Sequence, residues 1–305
     1  MRLLPRRLSA VLVLALALGS SLPTAQVASA ESASTCLSKL NSARRSAGLP
    51  QVTNSGVLSL AAQRHANYRA RTDTLGLNDI SAHYETGGRA YFTGLRPWDR
   101  TKAAGLRDGT WARQGENVVT GTGSSLSLSG VSAWLDAPYH RFPVLDANMR
   151  QIGCAASSGA ASGSKAAEVL EMLWPWSATT KQLTAWPLPN KTGVATSFDR
   201  RTEAPSPFRM SPTHVVGPVI SLQASGWTNI RLTSAPTLKR GTTPVAIHYS
   251  TPNGDTFLPD NAVMLAAKSQ LAAHTKYTVT VKGQLQVKAG AAWTSFVRTW
   301  SFTTV

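Results

Sequence analysis

Cys36-Leu37-Ser38-Lys39-Leu40-Asn41-Ser42-Ala43-Arg44-Arg45-Ser46-Ala47-Gly48-Leu49-Pro50 is the stretch from which the fold is read. Leu37, Leu40, Ala43 and Ala47 recur at helix spacing, Ser34 or Thr35 stands ahead of them as a cap, and Gly48-Leu49-Pro50 supplies a stop. The spacing predicts an amphipathic helix. A second helix is expected from about Ser55 to Arg71, with Val57, Leu58, Ala61, Ala62 and Ala66 on one stripe. Pro97 suits the first turn of a third helix running to Gly105, and Val131 to Ala137 reads as part of a fourth. Apolar runs at Gln151 to Ala156 and Glu168 to Trp174 are short enough to be strands. The first half of the chain therefore reads as helices around a small sheet.

Further along, the period changes from helix to strand. Val245, Ile247 and Tyr249 alternate with Ala246 and His248, Tyr277, Val279 and Val281 alternate with Thr278 and Thr280, and Phe296 to Thr304 makes a last strand. Turn signals such as Asn253-Gly254-Asp255 separate them, which argues for a β-sandwich. The segment from Leu271 to Val281 resembles the tyrosine-corner region of immunoglobulin-like and fibronectin-like modules, with Tyr277 as the corner residue. Between the halves lie Pro187, Pro189, Pro205, Pro207 and Pro212, an extended connection in which backbone donors are missing and φ is fixed. The expected organisation is a leader over 1–30, a helical domain over 31–185, a proline-rich linker over 186–212 and a β-domain over 213–305, each domain folding alone.

The leader is expected because Arg2, Arg6 and Arg7 flank an apolar run from Leu8 to Leu18, followed by Ala28-Ser29-Ala30. This is the charged, apolar and small-residue order of a secretory signal, and the apolar run is far below the ~20 residues of a membrane span. Secretion to the extracellular side follows as an expectation, with no membrane span in the remainder. Cleavage would lower the net charge of +16 by three, to +13. Such an excess favours an anionic surface: lipid headgroups, an acidic envelope polymer or nucleic acid. The basic residues are dispersed, with no run of five like charges, and no nucleic-acid motif is present, so specific nucleic-acid binding is not expected. The two cysteines, Cys36 and Cys154, form an even pair in an exported chain and read as a disulfide, the alternative being two buried thiols.

The helical half resembles a family. The stretch Cys36–Pro50 is similar to the first helix of bacterial CAP domains (cysteine-rich secretory protein, antigen 5, pathogenesis-related), where Leu-Asn, an Arg and Gly-Leu recur. Leu58 to Ala66 resembles the second helix, and His83, Asp99 to Gly105, Gly115-Glu116-Asn117, Trp134 to Arg141 and Gln151-Ile152-Gly153-Cys154-Ala155 follow in family order. The resemblance spans about residues 36 to 176. It implies an α-β-α sandwich with a cleft carrying His83, Glu116 and His140; with the all-β immunoglobulin-like sandwich read from the second half, the chain is expected to be α+β. Two departures stand out. Ala137 occupies the place where eukaryotic members have a second Glu, and His140-Arg141-Phe142-Pro143 replaces the usual His-Arg-x-Asn.

Two imidazoles and a carboxylate suit a divalent metal such as zinc, but separations of 33 and 24 residues are united only by a fold. A hydrogen-bonded structural pair, a metal site and a catalytic site all remain open. No Gly-x-Ser-x-Gly, His-Glu-x-x-His or Gly-Lys-Ser/Thr occurs, which leaves a metal-bound water activated by Glu116 as the one hydrolase reading. The other reading is a non-catalytic extracellular binding module for a lipid, a sterol or an anionic envelope polymer. His65, inside the apolar stripe, reads as a satisfied core histidine, and His214, His248 and His274 as surface or turn residues. Trp174 and Trp176 are expected to close the core.

Overall fold

The computed structural model describes residues 32–72, 80–122, 130–159, 165–209, 211 and 213–305. The expected leader over 1–30 and Pro212 of the linker lie outside the described residues. In the first half the elements run α1 (Ala33–Ser46), β1 (Thr53–Asn54), α2 (Gly56–Arg71), a 3₁₀ turn (Ile80–His83), α3 (Pro97–Ala103), β2 (Arg113–Thr122), α4 (Gly130–Asp136), α5 (Pro138–Val144), β3 (Gln151–Ser158) and β4 (Lys165–Trp174). The four strands make one sheet in the order β1-β3-β4-β2, with β1 parallel to β3 and the other pairs antiparallel. No helix among the described residues is long and apolar enough to cross a membrane.

The motif of the first helix is explained by its buried polar residues. Ser32, rather than Ser34 or Thr35, caps α1 by accepting from Thr35 N, because the helix begins one turn earlier than the apolar spacing shows. Asn41 pins the following loop through Nδ2 to Val52 O (2.9 Å) and Val52 N to Oδ1 (2.8 Å). Arg44, fully buried, donates to Pro50 O, Val144 O, Asp146 O and Met149 O, so one guanidinium satisfies carbonyls of two loops. α2 lies across β3 so closely that a Cβ at Gly153 would overlap the backbone of Leu58 and Ser59. Cys36 and Cys154 are disulfide-bonded, Cα to Cα 6.4 Å, tying α1 to β3 across a sequence separation of 118. Closing a loop of that length stabilises by about 5 kcal/mol in the chain-entropy account.

The second half contains β5 (Gln182–Trp186), β6 (Phe198–Asp199), β7 (Val215–Val216), β8 (Ile220–Ser225), β9 (Asn229–Leu232), β10 (Thr237–Arg240), β11 (Thr243–Val245), β12 (Ile247–Ser250), β13 (Ala262–Ala267), β14 (Lys276–Gln286) and β15 (Thr294–Thr303). One sheet runs β12-β13-β8-β5. A second runs β11-β10-β14-β15, with β9 also paired to β14. Their facing sides share a core built on Leu222, Leu238, Val263, Leu265, Val279, Val281, Trp300 and Phe302. The single strand expected through Val245, Ile247 and Tyr249 is instead two, β11 and β12 in different sheets, because the chain changes sheet at Ala246 while keeping its alternation. Tyr277 Oη accepts from Ala272 N at 3.0 Å, the strand-start tie expected of a corner tyrosine.

The halves are packed together. β5 pairs with β8, so the expected boundary at 185 falls inside a strand of the second half's sheet. Phe142 of α5 belongs to a cluster with Phe208, Val216, Val219, Leu258, Met264 and Ala266. Arg141, 1% exposed, donates to Leu135 O and Asp136 O on its own side and to Val219 O and Ser221 Oγ on the other. The proline-rich stretch lies along the second half, with Val194 bridged to Thr304. Trp174 is buried as expected, but Trp176 is 68% exposed, since β4 has ended and Pro175 turns the chain outward.

Candidate functional site

Three elements aim polar side chains at one small cleft. The 3₁₀ turn ends at His83, β2 carries Glu116, and α5 carries His140, whose carbonyl accepts from Asn117 Nδ2 at 2.8 Å. Asn117 thereby fixes α5 against the strand that holds Glu116, which is what the Gly115-Glu116-Asn117 triplet contributes. Pro138 opens α5 at a position where no N–H is needed. His83 and His140 lie face to face, ring centroids 6.5 Å apart and planes 24° apart. The fold thus brings together the three residues picked out by sequence, though not as three equivalent groups.

Glu116 sits below the cleft floor. Its Oε1 accepts from His83 Nδ1 at 2.8 Å and its Oε2 from Arg100 Nη2 at 2.5 Å. Burial pushes the Glu116 carboxyl up, but the charges of His65 and Arg100 and the His83 hydrogen bond outweigh it and hold the group well below the usual carboxylate range. Arg100, fully buried on α3, also donates to His83 O and Gly94 O, so it orients both members of the His83–Glu116 pair. Beneath them His65, with no exposure, has Nδ1 2.9 Å from Glu85 Oε1 and Nε2 2.9 Å from Ala82 O. It is the satisfied core histidine that its place in the stripe implied. Glu85 accepts in addition from Thr93 N and Gly94 N, closing the loop that leads to α3.

Two acids at the site were not singled out in the sequence. Glu171 of β4 stands directly opposite Glu116 in the β2–β4 register and is fully buried. Like charges at such a pair repel, and burial together with the Glu116 charge drives the Glu171 carboxyl well above its ordinary value, against the lowering by Arg100. The two carboxyls are thus pushed in opposite directions, Glu116 toward the ionised form and Glu171 toward the protonated one. The signal for Glu171 was a carboxylate inside the apolar run Ala166 to Trp174. Glu203, from the proline-rich stretch, reaches across to α5. Its Oε1 is 3.0 Å from His140 Nδ1 and accepts from Tyr139 N at 2.7 Å. It brings a carboxylate to His140 from 63 residues further along the chain.

The cleft encloses a cavity of about 70 Å³ lined by His83, His140, Glu203, Trp134, Ala137 and Thr202, with Val118 to Thr120 as its back wall. Each imidazole turns Nδ1 to a buried carboxylate, which leaves Nε2 as its remaining ring nitrogen. Glu203 Oε2 is buried and has no hydrogen-bond partner among the described residues. Among the described residues, no three His, Cys, Asp or Glu side chains form a ready metal-holding group. His248 is half-buried in the second half, while His214 and His274 are exposed there, away from this cleft.

Residues 37–171 match the model of the CAP, or cysteine-rich secretory protein, family. No curated protein matches the chain. Among solved structures, an outer surface protein from Borrelia burgdorferi is similar at 16% identity and a TM-score of 0.35, covering 46% of this chain and 89% of that one. By the family match, residues 37–171 of this chain are a CAP domain.

Proposed function

We propose that this is an exported, non-catalytic binding module whose cleft takes a divalent transition-metal ion between His83 and His140. The observation that carries the reading is the orphaned Glu203 Oε2, a buried acceptor in the same cavity as two imidazoles already oriented by carboxylates. A carboxylate on one ring nitrogen fixes the tautomer and raises the basicity of the other, the arrangement found behind metal-ligating histidines. His83 and His140 fit as ligands, with remaining positions filled by water, one of which would satisfy Glu203 Oε2. Glu116 does not fit: both its oxygens are committed, to His83 and Arg100. The same commitment weighs against a hydrolase in which Glu116 activates water.

A cavity of about 70 Å³ is also too small for a sterol or an acyl chain, which need several hundred Å³. Lipid or envelope polymer, if bound, would meet the basic exterior rather than this cleft. Export is supported by the leader-like residues 1–30 and the disulfide. The immunoglobulin-like identity of the second half rests on its two sheets and the Tyr277 tie.

Thermal unfolding of the purified chain with and without Zn²⁺ tests the reading. At a hundredfold excess over the dissociation constant the ion should stabilise by about 2.7 kcal/mol. The double variant His83→Ala, His140→Ala should lose that gain while keeping the circular dichroism of the parent. An unchanged gain in the double variant, or none in the parent up to millimolar Zn²⁺, would overturn it.

A further inference from the structure

A second cavity, of about 330 Å³, lies away from the cleft, where β12, the loop before β13 and the Phe208–Arg209 turn meet over Tyr139. Its volume is that of small-molecule pockets. Its walls are unusual for a surface that only needs to be solvated. Tyr249 and Phe257 are 49% and 43% exposed, and both line the cavity. Large aromatic faces left open beside polar groups mark binding surfaces rather than core.

The polar groups are sorted by what already occupies them. Asp255 is committed to the frame, with Oδ2 accepting from Tyr139 Oη at 2.6 Å and Oδ1 from Phe257 N at 3.1 Å. Arg209 is exposed, lies 5.3 Å over the Phe257 ring and has no carboxylate partner among the described residues. Its guanidinium is free to take a planar bidentate anion. His248 stacks on Phe208, centroids 6.1 Å apart, and burial, with the charges of Lys268 and Arg200, pushes its imidazole down toward the neutral form. Among the described lining residues the charged groups are therefore Arg209 and Asp255, and of the two only the guanidinium is left uncommitted.

The residues leading to Arg209 are tied to a buried side chain. Phe208 has φ of 50°, a left-handed conformation costly for an aromatic residue, and it persists because buried Arg200 donates to Pro207 O and Phe208 O, each at 3.0 Å. Strain stabilised by a dedicated buried arginine fits a preformed site, which spares a ligand the cost of ordering the loop.

We propose that this cavity binds an acidic saccharide, a glycan unit bearing a carboxylate. The apolar C–H face of a sugar ring stacks on Tyr249 and Phe257, its carboxylate pairs with Arg209, and its hydroxyls meet His248 and Ser250. Open aromatic faces combined with an unpaired guanidinium fit that amphipathic, anionic chemistry better than a lipid chain, which would leave the polar wall unpaired.

Titration calorimetry of the full chain with trigalacturonate as the acidic probe and chitotriose as the neutral one tests it. Trigalacturonate should bind and chitotriose at least about tenfold more weakly. Tyr249→Ala and Arg209→Ala, both exposed positions, should each weaken trigalacturonate about tenfold or more with unchanged melting temperatures. His83→Ala with His140→Ala should leave it unaffected, which separates this site from the cleft. Absence of binding, equal binding of the neutral probe, insensitivity to Arg209→Ala, or equal competition by an acidic peptide such as hexaglutamate would overturn the assignment.

Discussion

Arg141→Met tests how strongly the two halves of the chain are coupled. Among the described residues the buried guanidinium has no carboxylate in contact and lives on carbonyl and hydroxyl oxygens: Leu135 O at 2.6 Å, Val219 O at 3.0 Å, Ser221 Oγ at 3.1 Å and Asp136 O at 3.2 Å. Burial pushes the group down to about 10, so it stays charged at neutral pH. Methionine keeps much of the volume and removes every donor. The Ser221 hydroxyl can rotate toward another partner and Asp136 O is only partly buried, which leaves two buried carbonyls unsatisfied at about 1 to 3 kcal/mol each. Relief of the guanidinium's desolvation returns part of this, for a net loss of about 3 to 4 kcal/mol. At roughly 2 to 4 °C per kcal/mol for a chain of this size, the melting temperature should fall by about 6 to 16 °C. Scanning calorimetry, checked by urea unfolding, measures it. Because two of the lost bonds cross between the halves, the variant should also broaden or split the unfolding transition relative to the parent. A loss under about 1 kcal/mol would refute the reasoning, since it would mean that the carbonyls find other donors.

Two further outcomes follow from the same packing. Gly153→Ala should destabilise by about 3 kcal/mol or more in urea unfolding, because the added methyl meets the α2 backbone at Leu58 and Ser59, which moves only with the whole helix; a loss below about 1 kcal/mol would contradict that close approach. The acid pair gives opposite pH slopes. Glu116, depressed, contributes stability above the ordinary 4.5 that is lost as pH falls, whereas Glu171, raised, contributes stability below 4.5 that is lost as pH rises through its folded value. Glu171→Gln removes only the second effect, so its stability relative to the parent should climb between pH 5 and pH 8 in urea titrations; a constant difference would show that Glu171 is ionised in the folded protein.

The sequence pattern reports burial and period well, and partners poorly. α2 was legible to its cap because an apolar stripe and Ser55 are local signals. β11 and β12 were not, because alternation continues unbroken through the sheet change at Ala246 and no local signal distinguishes one strand from two. The same limit governs the cleft. His83, Glu116 and His140 came from a family resemblance, not from their spacing, and the residue that completes their surroundings lies outside the matched region. Glu203 brings a carboxylate to His140, yet along the chain it is one acid in a proline-rich linker. A side chain that works across 63 residues leaves no periodic trace. The consequence is physical: a chain cut at 185 would keep every family marker and lose Glu203, Val219 and Ser221 together. His140 would then lose its carboxylate and Arg141 two of its acceptors, so the cleft belongs to both halves even though its motif belongs to one.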